Sequence, residues 1–242
     1  MRLALISDLH GNEVALRAVL KSARAKGVDQ VVCLGDVATL GPRPRAILDL
    51  LRELRCVCIL GNHDEFLVDP TLLGQYTEAP FIVQAIDWCR DQLSPEDLAF
   101  VRTFQRDAEL PLEGGASLYL FHGSPKSHMV DLLATTPADA LDELLGDRRA
   151  TVMAGGHTHV QMLRQHRGVW LVNPGSVGLP FKEYVAGRAP QILPHAEYAT
   201  VESTGSEVSV TLHRVDLDKD ALRAAAREST HPMKGMLLAQ YA

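Results

Sequence analysis

Asp8-x-His10, Gly35-Asp36, Gly61-Asn62-His63-Asp64, His122-Gly123 and Gly156-His157-x-His159 carry the acids, amides and imidazoles best suited to chemistry in this chain. Each taken alone has a plain structural use. A carboxylate after a strand is commonly a turn or cap residue, because its short side chain bonds nearby backbone N–H groups. A lone histidine is commonly a hydrogen-bonded structural residue. His157-x-His159 is stronger, since alternate residues of an extended segment point the same way. Together they bring three aspartates, an asparagine and five histidines. Burying that many imidazoles and carboxylates without partners costs several kcal/mol each. A bound cation cluster compensates naturally, and carboxylate, imidazole and amide oxygen are ligands for Mn, Fe, Zn, Co or Ni rather than for thiolate-loving metals.

The elements expected to position them are short apolar runs at 3–6, 30–34, 56–60, 117–121, 150–154 and 169–172. Runs of four to six residues, apolar throughout, read as strands buried on both faces. Each leads into one of the polar blocks, the last into Asn173-Pro174-Gly175-Ser176, and the C-terminal ends of strands are where open α/β sheets place their ligands. Between the first three runs, apolar residues recur at helical steps over 13–25 and 45–54, which argues for a layered α/β fold. Residues 64–106 break the rhythm. Helices at about 81–92 and 95–105 follow one another without a strand, the second starting at a Ser94 cap with Pro95 in the first turn. This segment is expected as a helical insertion over one end of the sheet. A hairpin is expected across 110–115, another over 197–203 and 207–215, and a last helix at about 218–228. With no repeats or linkers, residues 1–242 are expected to form a single domain.

Composition narrows the field. The chain has 242 residues, 46% of them hydrophobic and 22% charged, which excludes disorder, collagen and coiled coil. The formal charge of −6 offers no basic field to hold a nucleic-acid backbone, so no stable nucleic-acid binding is expected. No apolar run reaches the roughly 20 residues of a membrane helix. The N-terminal apolar run stops after four residues, too short for a signal peptide, and a cytoplasmic location is expected. Cys33, Cys56, Cys58 and Cys89 lie in apolar stretches without zinc-knuckle spacing and read as small buried hydrophobes.

These blocks, in this order, resemble the calcineurin-like metallophosphoesterases over roughly residues 3–178. The small bacterial phosphodiesterase branch is the nearest resemblance, through Gly41-Pro42 after Gly35-Asp36, Gly123-Ser124-Pro125 after His122, and Asn173-Pro174-Gly175-Ser176 after the last histidine pair. The resemblance implies an α/β/β/α sandwich of two packed mixed sheets, with the helical insertion over the metal-site edge. It also implies two divalent transition-metal ions, manganese ahead of Fe, Zn, Ni or Co. Asp8, His10 and His159 would bind one ion and Asn62, His122 and His157 the other, with Asp36 between them. A hydroxide held between the ions would attack the phosphorus of a small phosphodiester or phosphomonoester in line with the leaving oxygen. His63 would stabilise the developing charge or protonate the leaving group, and Asp64 would orient its imidazole.

Two departures from the family pattern bear on substrate. Val37-Ala38-Thr39-Leu40 stands where the protein serine/threonine phosphatases carry Asp-Arg-Gly, and no arginine follows Asp64; both weigh against a dedicated protein phosphatase. The segment 177–182 lacks the Gln and Arg that relatives of the small branch often carry. That leaves Arg43, Lys126, Lys182 and Arg188 as weak candidates for holding phosphate. His128 is placed near the site, and His166, His195, His213 and His231 at the surface. The competing expectations are a protein phosphatase or a nuclease on the same metal site, and a catalytically inactive interaction scaffold of the same fold. The family's known scaffold has lost the histidine that stands here as His63. The oligomeric state is open.

Overall fold

Among residues 1–77, 79–185 and 188–241, which the computed structural model describes, ten strands make two five-stranded sheets. They are β1 (Arg2–Ile6), β2 (Gln30–Cys33), β3 (Val57–Cys58), β4 (Ala108–Pro111), β5 (Ser117–Leu120), β6 (Val152–Ala154), β7 (Met162–His166), β8 (Val169–Asn173), β9 (His195–Thr204) and β10 (Glu207–Asp216). The first sheet runs β10-β9-β1-β2-β3 and the second β4-β5-β6-β8-β7. In the first, β1, β2 and β3 are parallel; in the second, β5, β6 and β8 are parallel. The helices are α1 (Glu13–Ala25), α2 (Pro44–Leu54), α3 (Asn62–Val68), α4 (Leu73–Tyr76), α5 (Pro80–Asp91), α6 (Pro95–Val101), α7 (Ala138–Leu145), α8 (Lys219–Glu228) and α9 (Lys234–Gln240).

The period-two alternation of the strands builds the layers. Ala4 and Ile6 of β1 pack with Leu16, Val19 and Leu48 of α1 and α2, while Leu3 and Leu5 face the other way. There they meet Leu118 and Leu120 of β5, Val152 and Ala154 of β6, and Val172 of β8. Tyr119 of β5 and Met153 of β6 point outward onto Leu141 and Leu145 of α7. The result is helices, sheet, sheet and helix, as the resemblance implied. Each fully buried leucine, isoleucine or valine among these contributes about 1.5–3 kcal/mol.

Local chemistry sets several boundaries. The Asn12 side chain accepts from the Ala15 N–H to start α1. Ser94 and Asp97 form a reciprocal capping box at α6, whose Pro95 fills the first turn. α6 stops at Val101, short of the expected 105, because the Gln105 N–H leaves to donate to the Cys58 carbonyl. The run at 56–60 is correspondingly a strand only at Val57–Cys58, with Ile59 bridging to Gln105. β7 was not expected: its Met-Leu-Arg-Gln-His sequence is an edge strand of mixed polarity. It joins β8 through Arg167-Gly168, both with positive φ, the backbone of a two-residue hairpin turn. The short helices α7 and α9 were also not expected. The four cysteines are free. No helix of the described residues is long and apolar enough to cross a membrane.

Candidate metal centre

The polar blocks meet because the ends of β1, β2 and β6 turn through backbone that side chains rarely adopt. Asp8, His10, Asp36, His157 and His159 all have positive φ, between 42° and 71°. Such residues cost about 1–3 kcal/mol each and persist only where the surroundings over-determine them. Here the turns bond to one another. The Asp8 N–H donates to the Gly35 carbonyl (2.9 Å) and the His10 N–H to the Asp36 carbonyl (3.0 Å). The His157 N–H reaches the Asp8 carboxylate at 3.2 Å. Gly61 and Gly156 are required by space: a Cβ would lie 2.1 Å from Asp36 Oδ1 at the first and 1.9 Å from Ser7 Oγ at the second.

Two donor groups result, and Asp36 belongs to both. In the first, donor atoms of Asp8, His10, Asp36 and His159 lie within 4.8 Å of one another, all buried. His10 Nε2 is 3.1 Å from His159 Nε2 and 3.9 Å from Asp36 Oδ2, and His159 Nε2 is 3.4 Å from Asp8 Oδ1. In the second, Asp36 joins His122 and His157 within the same span. Asp36 Oδ2 is 3.4 Å from His122 Nε2. Asn62 Oδ1 completes the group, 3.2 Å from His122 Nε2 and 3.0 Å from His157 Nδ1.

Outer contacts aim the rings. His122 Nδ1 meets the Leu34 carbonyl at 2.6 Å and His159 Nδ1 the Leu179 carbonyl at 2.7 Å. A carbonyl only accepts, so both rings carry a proton there, and in the neutral form both direct an Nε2 lone pair inward. His10 Nδ1 lies 3.2 Å from Thr39 Oγ1, with its Nε2 likewise inward. Lone pairs and carboxylates thus converge, as metal-ligating histidines require. Burial opposes the His122 imidazolium, but Asp36 and the Leu34 carbonyl override it and push the pKa up to about 9. Burial likewise opposes charge on His159, and Asp8 raises it. His157 goes the other way: burial, with His122 beside it, holds it down to about 4. Against burial, the neighbouring imidazoles hold Asp36 well below the usual carboxylate range. The buried Asn62 Nδ2 and His63 Nδ1 have no hydrogen-bond partner. This donor set of carboxylate, imidazole and amide oxygen fits divalent transition metals.

All seven residues expected as ligands are therefore brought together. His63 stands beside them, buried, with its ring edge-on to His10 at 5.1 Å and packed by Phe66 and Tyr76. Burial lowers its pKa. Asp64 is not where it was expected. Its carboxylate makes no hydrogen bond to the His63 ring and instead accepts from the backbone N–H groups of Asp36, Val37 and Gly61 at 2.8, 2.8 and 3.0 Å. It ties the loop after β3 to the loop after β2. Burial and the Asp36 charge push its carboxyl up to about 7, against those donors.

None of the four candidate phosphate-binding cations is drawn into the cluster. Arg43 pairs with Glu13 and Glu228, Arg188 pairs with Glu183, and Lys126 and Lys182 are exposed. His128 pairs with Glu65 and Arg106 instead of the cluster. The surface placement of the remaining histidines is corrected: His166, on Asp142, and His231, against Trp88, are buried, and His195 and His213 are half-buried. Four contributors were missed. Thr39 orients His10, and Phe181 stacks on the His159 ring at 4.2 Å. Asp131 lies 3.4 Å from His157 Nε2, and the Tyr184 hydroxyl donates to Asp131. No local pattern marks any of them, since each contact spans a long stretch of chain.

The comparisons agree with this geometry. The calcineurin-like phosphoesterase superfamily domain matches residues 1–189. Phosphodiesterase YfcE of Escherichia coli is 27% identical over 190 residues, 74% of this chain and 81% of its own. An uncharacterized protein of Methanocaldococcus jannaschii is 28% identical over 195 residues, 74% of this chain and 76% of its own. A metallophosphoesterase from Sphaerobacter thermophilus superposes with a TM-score of 0.76 at 27% identity, covering 100% of this chain and 98% of that one. With most of its length matched and its strand-end donors assembled, the chain belongs to the calcineurin-like phosphoesterase superfamily.

Proposed function

We propose that the protein is a two-metal phosphoesterase that hydrolyses a small phosphodiester or phosphomonoester. The observation that carries this is the Asp36 carboxylate, common to two donor groups that face each other across it. The negative charge of a carboxylate common to both groups would offset the mutual repulsion of two divalent ions. Asp8, His10 and His159 would hold one ion, and Asn62, His122 and His157 the other. Metal ions bound there would supply activated water at neutral pH and positive charge facing the phosphate. Manganese is the first choice of metal.

The chain's own side chains do the rest. The Nδ1–H contacts to Leu34 and Leu179 fix the His122 and His159 tautomers, so that neither ring must reorganise. His63, kept neutral at pH 7 by burial, offers ring nitrogens to a phosphate or leaving-group oxygen; its Nδ1 has no protein partner to give up. Asp64 holds the Asp36 turn in place through its three N–H bonds. The chain works as a single domain, because β9 near its C-terminal end completes the first sheet beside β1. Four free cysteines are in keeping with a cytoplasmic setting. The negative net charge is in keeping with small substrates rather than long polyanions.

Hydrolysis of bis-p-nitrophenyl phosphate with added Mn²⁺ tests this reading. Wild type turns the ester over, and a variant carrying both His63→Ala and Asp36→Asn does so at least about a thousandfold more slowly, the cost of several kcal/mol of lost transition-state stabilisation. Equal rates in the two proteins would overturn it.

A further inference from the structure

Asp131 sits at the outer side of the second donor group. Its Oδ1 is 3.4 Å from His157 Nε2, the nitrogen of that ring turned away from Asn62, and its side chain is 38% exposed. The Tyr184 hydroxyl donates to its other oxygen and fixes it. Among the described residues no lysine or arginine forms an ion pair with it. An imidazole that ligates a cation is neutral, so His157 does not cancel the carboxylate's charge. A carboxylate fixed by Tyr184 and without a lysine or arginine partner therefore stands on the outer side of the second donor group.

Beside it the surface is aromatic. Tyr76, packed on His63, is 42% exposed, and Tyr184 is 37% exposed. Asp131 and Tyr184 lie near enough to Tyr76 to help burial raise its phenol to about 12. These groups come from three separate segments, α4, the loop after β5 and the loop after β8.

We propose that Asp131, held by Tyr184, selects substrates by charge, favouring the monoanion of a phosphodiester over the dianion of a phosphomonoester. The proposal rests on the phosphoesterase reading above and deepens it. A monoester dianion brings one more negative charge towards the carboxylate than a diester does, and like charges placed together work against the wrong partner. The diester also carries a second ester group, and the exposed faces of Tyr76 and Tyr184 offer it a flat apolar surface. The favoured class is thus a phosphodiester whose second ester group is aryl or heteroaryl.

The test compares kcat/KM for bis-p-nitrophenyl phosphate and p-nitrophenyl phosphate, which share a leaving group, in the Mn²⁺-loaded wild type, Asp131→Asn and Tyr184→Phe. Bound metal is counted by elemental analysis in each protein. Asp131→Asn is expected to lower the diester-to-monoester ratio by about five- to tenfold, the scale of one partly screened charge, with metal content unchanged. Tyr184→Phe, which frees the carboxylate without removing it, shifts the ratio the same way by less. An unchanged ratio in Asp131→Asn overturns the proposal alone. So does an equal fall in both activities together with metal content, which would mean that Asp131 acts by supporting His157. A wild type that cleaves neither ester takes down the phosphoesterase reading and this proposal with it.

Discussion

Buried histidines occupy two quite different places in this protein. At the ends of β1, β3, β5 and β6, the rings of His10, His63, His122 and His159 are nearly inaccessible, and each lies among carboxylates, amides or other imidazoles. In the corner between α5 and α8–α9, His231 is just as inaccessible, but it packs on Trp88 with no carboxylate near it. The consequence is visible in their protonation. Asp36 lifts His122 to about 9 against burial, whereas burial alone takes His231 down to about 4. Burial of an imidazole is thus no sign of chemistry. What distinguishes the strand ends is that nitrogen lone pairs and carboxylate oxygens point at common centres, and that five of the residues carrying them hold strained left-handed backbone.

Within the strand-end group the sharpest division is between the residues proposed as ligands and His63, which is proposed not to be one. Replacing His63 by Asn is expected to slow hydrolysis of bis-p-nitrophenyl phosphate by about 10²–10⁴, the range for loss of a positioned acid–base group, with bound metal unchanged. Asp36→Asn is expected to lose metal as well as rate. Elemental analysis of the two variants beside their turnover numbers separates these outcomes. A His63 variant that also loses metal would place that ring among the ligands and erase the division.

A smaller effect is expected at Thr39. Its hydroxyl faces His10 Nδ1 in a wholly buried position, so Thr39→Val removes the partner without changing shape. Such outer contacts are worth about 10–100-fold in metal affinity. Mn²⁺ titration should show weaker binding in Thr39→Val and recovery in Thr39→Ser. Equal affinity in all three proteins would mean that the convergence of His10 and His159 needs no outside support.

The same contrast explains what could be seen in the sequence. The order of polar blocks after apolar runs was legible, because every expected ligand stands within a few residues of a strand end and strand ends of parallel strands share an edge. The sandwich followed from alternation along β1 and β5, which a run such as Leu-Ala-Leu-Ile hides, since both faces are apolar; there the resemblance supplied what periodicity did not. Asp64 was misassigned because adjacency to His63 suggested contact, while the first turn of α3 sends its carboxylate back to three backbone N–H groups. Thr39, Asp131 and Tyr184 were invisible because they reach the site from loops far along the chain. His231 was placed at the surface because nothing in its neighbours Ser229, Thr230 and Pro232 announces burial; Trp88, from a distant helix, covers it.

His231 also offers the mildest test, one in which no catalysis is involved. Its Nδ1 accepts from the Met233 N–H at 3.1 Å, so the ring is neutral with its proton on Nε2. A second proton could only go to Nδ1, and adding it would break that bond and leave a buried cation without a partner. The folded-state pKa of about 4 therefore lies below the roughly 6.5 of an unfolded chain. Between those values the unfolded state binds more protons, so this residue's contribution to stability is complete above about pH 6.5 and is lost as pH falls towards 4. Asn at position 231 keeps an oxygen where Nδ1 stands and cannot take up the proton. Thermal unfolding at pH 7.5 and pH 5.0 should show a midpoint drop a few degrees smaller in His231→Asn than in wild type, the scale of about one or two kcal/mol in a chain of this size. The strand-end histidines are the same in both proteins, so the difference between the two slopes isolates the corner. Identical slopes would show that His231 reaches solvent or a partner on protonation, and that the two histidine environments differ less than their burial and contacts indicate.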